Sequence, residues 1–146
     1  MSSEDSLSDA IRAATGRITD RLIAIRRQIH AHPEMAFQEH QTSALVRSVF
    51  SEIGVPFEDG MAETGVIGVI DGTSNRGNGA GRSVGVRGDM DCLPIQETTG
   101  AAYASTRPGF MHACGHDAHT AIALGVAMVL NELKSRFSGR VAVVLQ

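Results

Sequence analysis

The stretch Met111–Gln146, MHACGHDAHTAIALGVAMVLNELKSRFSGRVAVVLQ, changes character twice along its length. Its first ten residues concentrate three histidines, a cysteine and an aspartate. Its middle carries Ile122, Ala123, Val126, Met128, Val129, Leu130 and Leu133 and is apolar nearly all round in its first half, the pattern of a helix held between other layers. Its end, RVAVVLQ (Arg140–Gln146), is short and β-branched and reads as a strand. The spacing predicts a helix that begins near Asp117, with its main run from about His119 to Phe137. A second strand, SVGVRG (Ser83–Gly88), precedes the cluster. Strand, helix and strand in this order predict a crossover connection in an α/β domain.

The rest of the chain agrees with that class. From Ser8 to Ile29, the positions Ile11, Ile18, Leu22, Ile25 and Ile29 recur at helical spacing with arginines between them, which predicts an amphipathic helix with Gly16 as a point of interruption. Pro33 disfavours helical geometry at His32, so that helix should stop near His30. A second helix is expected over Thr42–Ile53, burying Leu45, Val46, Val49, Phe50 and Ile53, with Gly54 as its cap and Pro56 preventing its continuation. Gly65–Asp71, GVIGVID, reads as a buried strand, and Gly72–Arg82 reads as a polar glycine-rich surface loop. That loop lacks the Lys-Ser or Lys-Thr of a phosphate cradle. Residues 1–8 are expected to form a flexible tail and residues 9–146 a single body.

The chemistry gathers where the strands end. His112, Cys114 and His116 stand two residues apart, so an extended backbone would send them to one side, whereas a helix would not. A thiolate with an imidazole suits zinc, and imidazole also serves manganese or cobalt. Two ligands are too few for a site, so others must come from elsewhere. Asp89 and Asp91 follow the strand SVGVRG directly, where functional groups of open α/β sheets collect. At this spacing on extended chain they face one way, able to bind a cation or to orient a ligating imidazole.

Composition narrows the partners. A net charge of −3 gives no basic footprint for nucleic acid or for a membrane surface. No run of about 18 apolar residues predicts a membrane span, and the polar, acidic start MSSEDSLSDAIRAATGR has no signal-peptide core. Cys92 and Cys114, the two cysteines, are expected as reduced thiols in a cytoplasmic protein. A thiol redox role for them is poorly supported, since they form no C-x-x-C pair.

Three strings in order, RRQIHAHPEMAFQEHQT (Arg26–Thr42), RGDMDCLPIQE (Arg87–Glu97) and GFMHACGHDAHT (Gly109–Thr120), resemble the amidohydrolase branch of the metal-dependent aminoacylase and carboxypeptidase superfamily. That branch includes hippurate hydrolases, N-acyl-amino-acid deacylases and plant auxin-conjugate hydrolases. The resemblance implies a three-layer α/β/α metallopeptidase-like catalytic domain, of which this chain would be a truncated N-terminal part lacking the lid or dimerisation domain. It implies hydrolysis of the amide bond of N-acyl amino acids, hippurate-like or N-acetylated, with two divalent ions (Mn or Zn) per complete site. It allows a homo-oligomer in the full-length form.

Residue by residue, the resemblance assigns Cys114 and His116 as metal ligands and Asp91 as a catalytic or metal-orienting acid, with a less defined part for Asp89. His112 and His119 are expected to support the site rather than ligate. His30 and His32 would shape its entry, His40 is expected to be an exposed helix-start histidine, and Cys92 is expected to be packing. The family's glutamate base and further ligands follow the strand that ends here in VAVVLQ. Glu34 and Glu97 are the nearest substitutes by motif, and both are expected to be structural. The competing reading is a non-catalytic fragment that binds metal weakly or only a protein partner.

Overall fold

The computed structural model describes residues 6–74 and 81–146. Helix α1 spans Leu7–Ala31 and α2 spans His40–Glu52. Strands β1 (Phe57–Met61), β2 (Gly65–Thr73) and β3 (Ser83–Gly88) follow, then α3 (His116–Glu132), a 3-10 turn at Lys134–Arg136 and β4 (Ser138–Leu145). Most of the expected loop Gly72–Arg82 lies outside the described residues, although Gly72 and Thr73 belong to β2.

The helices start and stop for identifiable reasons. Helix α1 takes in Leu7 and Ser8, part of the expected tail, because the Ser6 side chain accepts from the Asp9 N–H and caps the first turn. Gly16 does not interrupt it; the helix runs unbroken for 25 residues. At the end of α2, the Gly54 N–H donates to the Ser51 carbonyl and the Val55 N–H to that of Phe50, with Gly54 in the left-handed region at φ +68°. This paired closure is the Schellman motif, and the αL position explains the glycine.

The sheet order is β1-β2-β4-β3, antiparallel except for the parallel pair β3–β4. The β3–α3–β4 crossover therefore joins neighbouring parallel strands, as expected for an α/β domain. Strand β1 is absent from the sequence-based expectation. It forms as a hairpin partner of β2, and its Phe57 ring packs 6.0 Å from that of Phe50.

Register decides which side chains meet the helices. Val66, Gly68 and Ile70 of β2 stand opposite Leu145, Val143 and Val141 of β4 and share one face with them. On that face Phe50 of α2 lies against Gly68, where an added Cβ would come within 2.7 Å of the ring. Gly88, at the end of β3, sits so close under α3 that a Cβ there would be 2.9 Å from the His119 carbonyl oxygen. Helix α1 packs on α3, with Leu22 reaching Gly125, and contributes Ile25 and Ile29 to the same core. Phe50, Met90, Leu124, Val46, Val66, Val143 and Leu145 are fully buried, each stabilising the fold by roughly 1.5–3 kcal/mol through removal of apolar surface from water. Ile67, Val69, Ala142 and Val144 alternate onto the other face and stay half-buried, uncovered by any helix among the described residues. The described residues thus supply two of the three layers implied by the resemblance.

Candidate metal centre

Beyond β3 the chain stays extended beside β4: the Met90 N–H donates to the Gln146 carbonyl at 2.9 Å and the Gln146 N–H to that of Gly88 at 3.1 Å. Met90 points into the core, so Asp89 and Asp91 both point away from it. A two-way bridge between Leu93 and Met111, each N–H donating to the other's carbonyl at 3.0 Å, then draws the histidine-rich segment alongside.

The backbone of that segment is not extended as expected. Ala113 and Cys114 turn, Gly115 takes φ +88°, and α3 begins at His116. The expected common side for residues 112, 114 and 116 is therefore lost. His112 goes into the interior at 4% exposure, Cys114 goes to the surface, and His116 lies between.

His116 is held in one orientation. Its Nδ1 is 2.8 Å from Asp91 Oδ1 and 2.9 Å from the Asp91 carbonyl oxygen. Both are acceptors, so Nδ1 carries the proton and Nε2 presents its lone pair outward. Nε2 is 3.9 Å from Asp89 Oδ2. His119, one turn further along α3, stacks on His116 at 5.6 Å and places its Nδ1 3.1 Å from Asp89 Oδ1. Ligand atoms of Asp89, His116 and His119 all lie within 4.8 Å of one another. Burial works to raise the Asp89 pKa, but hydrogen bonds from His119 and Arg87 outweigh it and hold the carboxyl below its usual range. Among the described residues Cys114 is not part of this group of three. Its neighbours are instead Arg26, His30, Glu97, Tyr103 and His112, around an adjoining cleft.

The inner side of the same helical turn is ionic. Asp117, fully buried, accepts from Arg26 Nε at 2.9 Å and lies 2.8 Å from His30 Nδ1, while His30 Nε2 lies 3.2 Å from Glu97 Oε1. Burial acts to raise the Asp117 pKa, and the His30 hydrogen bond and Arg26 charge overcome it and hold it low. Glu97 is pushed down to about 2, first by the Thr99 hydroxyl and then by the Ser105 N–H and His30. Burial lowers the His112 pKa to about 4, so its ring is neutral near pH 7; neither of its nitrogens, nor Asp117 Oδ1, has a hydrogen-bond partner among the described residues.

The remaining expected residues have structural surroundings. Glu34 is buried and accepts from the Gln41 and Thr42 N–H groups and the Thr42 hydroxyl, capping the first turn of α2. His32 Nδ1 lies 2.9 Å from the Gln28 carbonyl, and His40 is exposed at the start of α2. Cys92 is buried with its sulfur 3.9 Å from that of Met35, and burial raises its thiol pKa. Sequence reasoning did not place His119 with Asp89, although the His-x-x-His spacing at a helix start was the signal for it. The His30–Asp117–Glu97 chain had no local signal, because its members are far apart in sequence.

Comparison with known proteins finds relatives along most of the chain. Residues 85–146 match the family model described as peptidase family M20/M25/M40. The chain is 40% identical over 126 residues to an N-acetyl-L-cysteine deacetylase of Bacillus subtilis, covering 86% of this chain and 29% of that protein. It is 43% identical over 127 residues to an IAA-amino acid hydrolase of Arabidopsis thaliana, covering 87% of this chain and 28% of that one. A crystal structure from Bacillus subtilis, described as a dinuclear metal binding peptidase from the M20 family, superposes with a TM-score of 0.80 at 40% identity, over 92% of this chain and 36% of its own. The chain spans about a third of the length of these relatives. Shared fold, shared sequence and the position of the His116 turn beside the end of a parallel strand make this chain similar to the N-terminal third of proteins of peptidase family M20/M25/M40.

Proposed function

We propose that this protein serves a metal-dependent hydrolase that cleaves the amide bond of N-acyl amino acids, with residues 9–146 as part of its catalytic domain. The observation that carries this reading is the fixed His116 ring, with Nδ1 held by Asp91 and Nε2 turned outward toward Asp89. An imidazole so held is prepared to ligate, because its tautomer and plane are already set. The donor chemistry suits a divalent ion, Zn or Mn: His116 would supply the imidazole that Asp91 orients, and Cys114, exposed on the same turn, would supply a thiolate. A bound ion would polarise the acyl carbonyl and make water a better nucleophile near neutral pH. The chain's own contribution is to hold that ligand and to keep Asp89 ionised beside it. Relatives named as a deacetylase and an amino acid hydrolase support the amide substrate class. Free thiols at Cys92 and Cys114 support a cytoplasmic setting, and no helix among the described residues is long and apolar enough to cross a membrane.

A second reading, metal binding without turnover by the 146-residue chain alone, is favoured by one observation. Glu34 and Glu97, the candidate bases, are both committed to internal hydrogen bonds. Assaying amine release from N-acetyl amino acids and hippurate, before and after chelation and after adding back Zn or Mn, separates the two. Turnover lost on chelation and restored by metal supports the first reading, and Asp91→Asn should then lower kcat by at least about tenfold, the lower end of what such orienting partners are worth. Metal binding with no turnover supports the second. Turnover that survives exhaustive chelation overturns both.

A further inference from the structure

Helices α1 and α3 run antiparallel, with Arg17 beside Glu132, Leu22 against Gly125 and Arg26 against Asp117. Their side turned away from the core is not built like a water-facing surface. Between Asp117 and Glu132, α3 carries no Asp, Glu, Lys or Arg, although a surface helix ordinarily shows water a charged stripe. Ile122 is 60% exposed there, followed at successive fourth positions by the half-buried Val126 and Leu130. Ile11 and Ile23 of α1 are exposed on the same side. A cleft of about 330 Å³ between the helices is lined by Ile11, Thr15, Leu22, Ile122, Gly125 and Val126. The Thr15 and Thr19 hydroxyls donate back to the Ile11 and Thr15 carbonyls at 2.8 and 2.9 Å, so neither needs a partner from outside. The face is therefore apolar and free of unmet hydrogen bonds, as the dry centre of an interface is.

Its pattern also matches itself. Ile122 projects as a knob and the cleft beside it is a hole, so a two-fold rotation offers each knob to the other copy's cleft. Arg12, Gly16 and Asp20 stand four residues apart along one exposed stripe of α1. Among the described residues Arg12 and Asp20 are in no ion pair, whereas Arg17, Arg21 and Arg26 all are. A second α1 crossing antiparallel at Gly16 sets Arg12 against Asp20 of the partner subunit, and Asp20 against Arg12 of the partner subunit. Glycine is a poor residue for the middle of a helix, and an added Cβ at Gly16 would meet nothing within 4 Å, so no contact inside this chain calls for it. Close approach of another backbone does. The 17 residues of α3 make the patch roughly 25 Å long, and two packed helices make it about 20 Å wide. That is a flat footprint of roughly 500 Å² per copy and about 1,000 Å² in a pair, the threshold for a specific interface.

We infer that the outward face of α1 and α3 is the interface with a second copy of this chain, in a two-fold dimer centred on Gly16 and Ile122. The inference does not depend on the metal-dependent reading above. The test is the mass of the full 146-residue chain by light scattering and sedimentation across the micromolar range, with reductant present so that no disulfide joins copies. The expected mass rises with concentration to twice the 15.4 kDa of the chain. Ile122→Glu should weaken dimerisation by about tenfold or more, since it buries an unpaired charge. Gly16→Leu should weaken it too, with the helical circular dichroism retained. Arg12→Glu and Asp20→Lys should each weaken it about fivefold, and the double variant should regain the original affinity, which happens only if copies meet each other. Val84→Lys, on the exposed strand β3, should leave it unchanged. Should Ile122→Glu fail to fold, Gly16→Leu and the charge exchange carry the test. A monomer at every concentration overturns the interface and leaves the face to a helix of another protein. A mass beyond the dimer, or association lost in Val84→Lys and kept in Ile122→Glu, overturns it as well.

Discussion

One turn of α3 faces two chemical worlds. His116 and His119 look outward to Asp89, whereas Asp117 between them looks inward to Arg26 and His30. Outside, His116 Nε2 is left with a lone pair and no hydrogen-bond donor among the described residues, and the Asp89 carboxylate is shared with an arginine that solvent can reclaim. Inside, His30 joins two buried carboxylates through both ring nitrogens and ties α1 to α3. The difference separates architecture from ligand chemistry. Buried charges that lose a partner cost far more than exposed ones, so the inner set holds the turn in place and the outer set remains free to exchange partners.

The comparison breaks most readily at Asp117. Asp117→Ala leaves Arg26 and His30 facing an uncharged cavity and should destabilise the chain by about 3–5 kcal/mol, read as a fall in the urea midpoint. A loss below about 1 kcal/mol would mean that the inner cluster does not hold the turn. Acid tests the same side. With its pKa lowered from 4.5 to about 2, Glu97 binds its proton more weakly in the folded state than in the unfolded one. Its contribution is full above about pH 4.5 and is lost as pH falls toward 2. Glu97→Gln should therefore flatten the stability–pH curve in that window, and an unchanged slope there would remove Glu97 from the inner set. The outer side should give the smallest effect. His119→Ala should move stability by no more than about 0.5 kcal/mol in the absence of metal, since the ring is half-exposed and stacks only on the edge of the site, against His116.

Much of this was legible in the sequence for local reasons. The Ile25 and Ile29 stripe, the Gly54 cap and strand β3 follow from periodicity and turn chemistry within a few residues. The pairing of Asp91 with His116 was also within reach, since both follow from motifs at strand and helix ends. Strand β1 was not legible, because FEDGM lacks β-branched alternation and becomes a strand only by pairing with β2. The common side expected for His112, Cys114 and His116 failed because Gly115 permits a left-handed turn that reverses the direction of the side chains. His30, Glu97 and Asp117 meet only after α1 docks on α3, a tertiary event with no local signature.

Strand β4 lies between β2 and β3 although both are made before it. Until residues 138–145 leave the ribosome, β2 has only the short β1 beside it and β3 has no paired neighbour in this sheet. Pairing Val66 with Leu145 closes a long loop, and such distant pairings are slow and expose open edges while they wait. Asp89 and Asp91, which depend on the strand ladder for their positions, can be set against His116 only afterwards. The nascent chain therefore passes through an interval in which its helices can form but its sheet cannot, and shielding those edges from other chains during synthesis becomes part of making the protein.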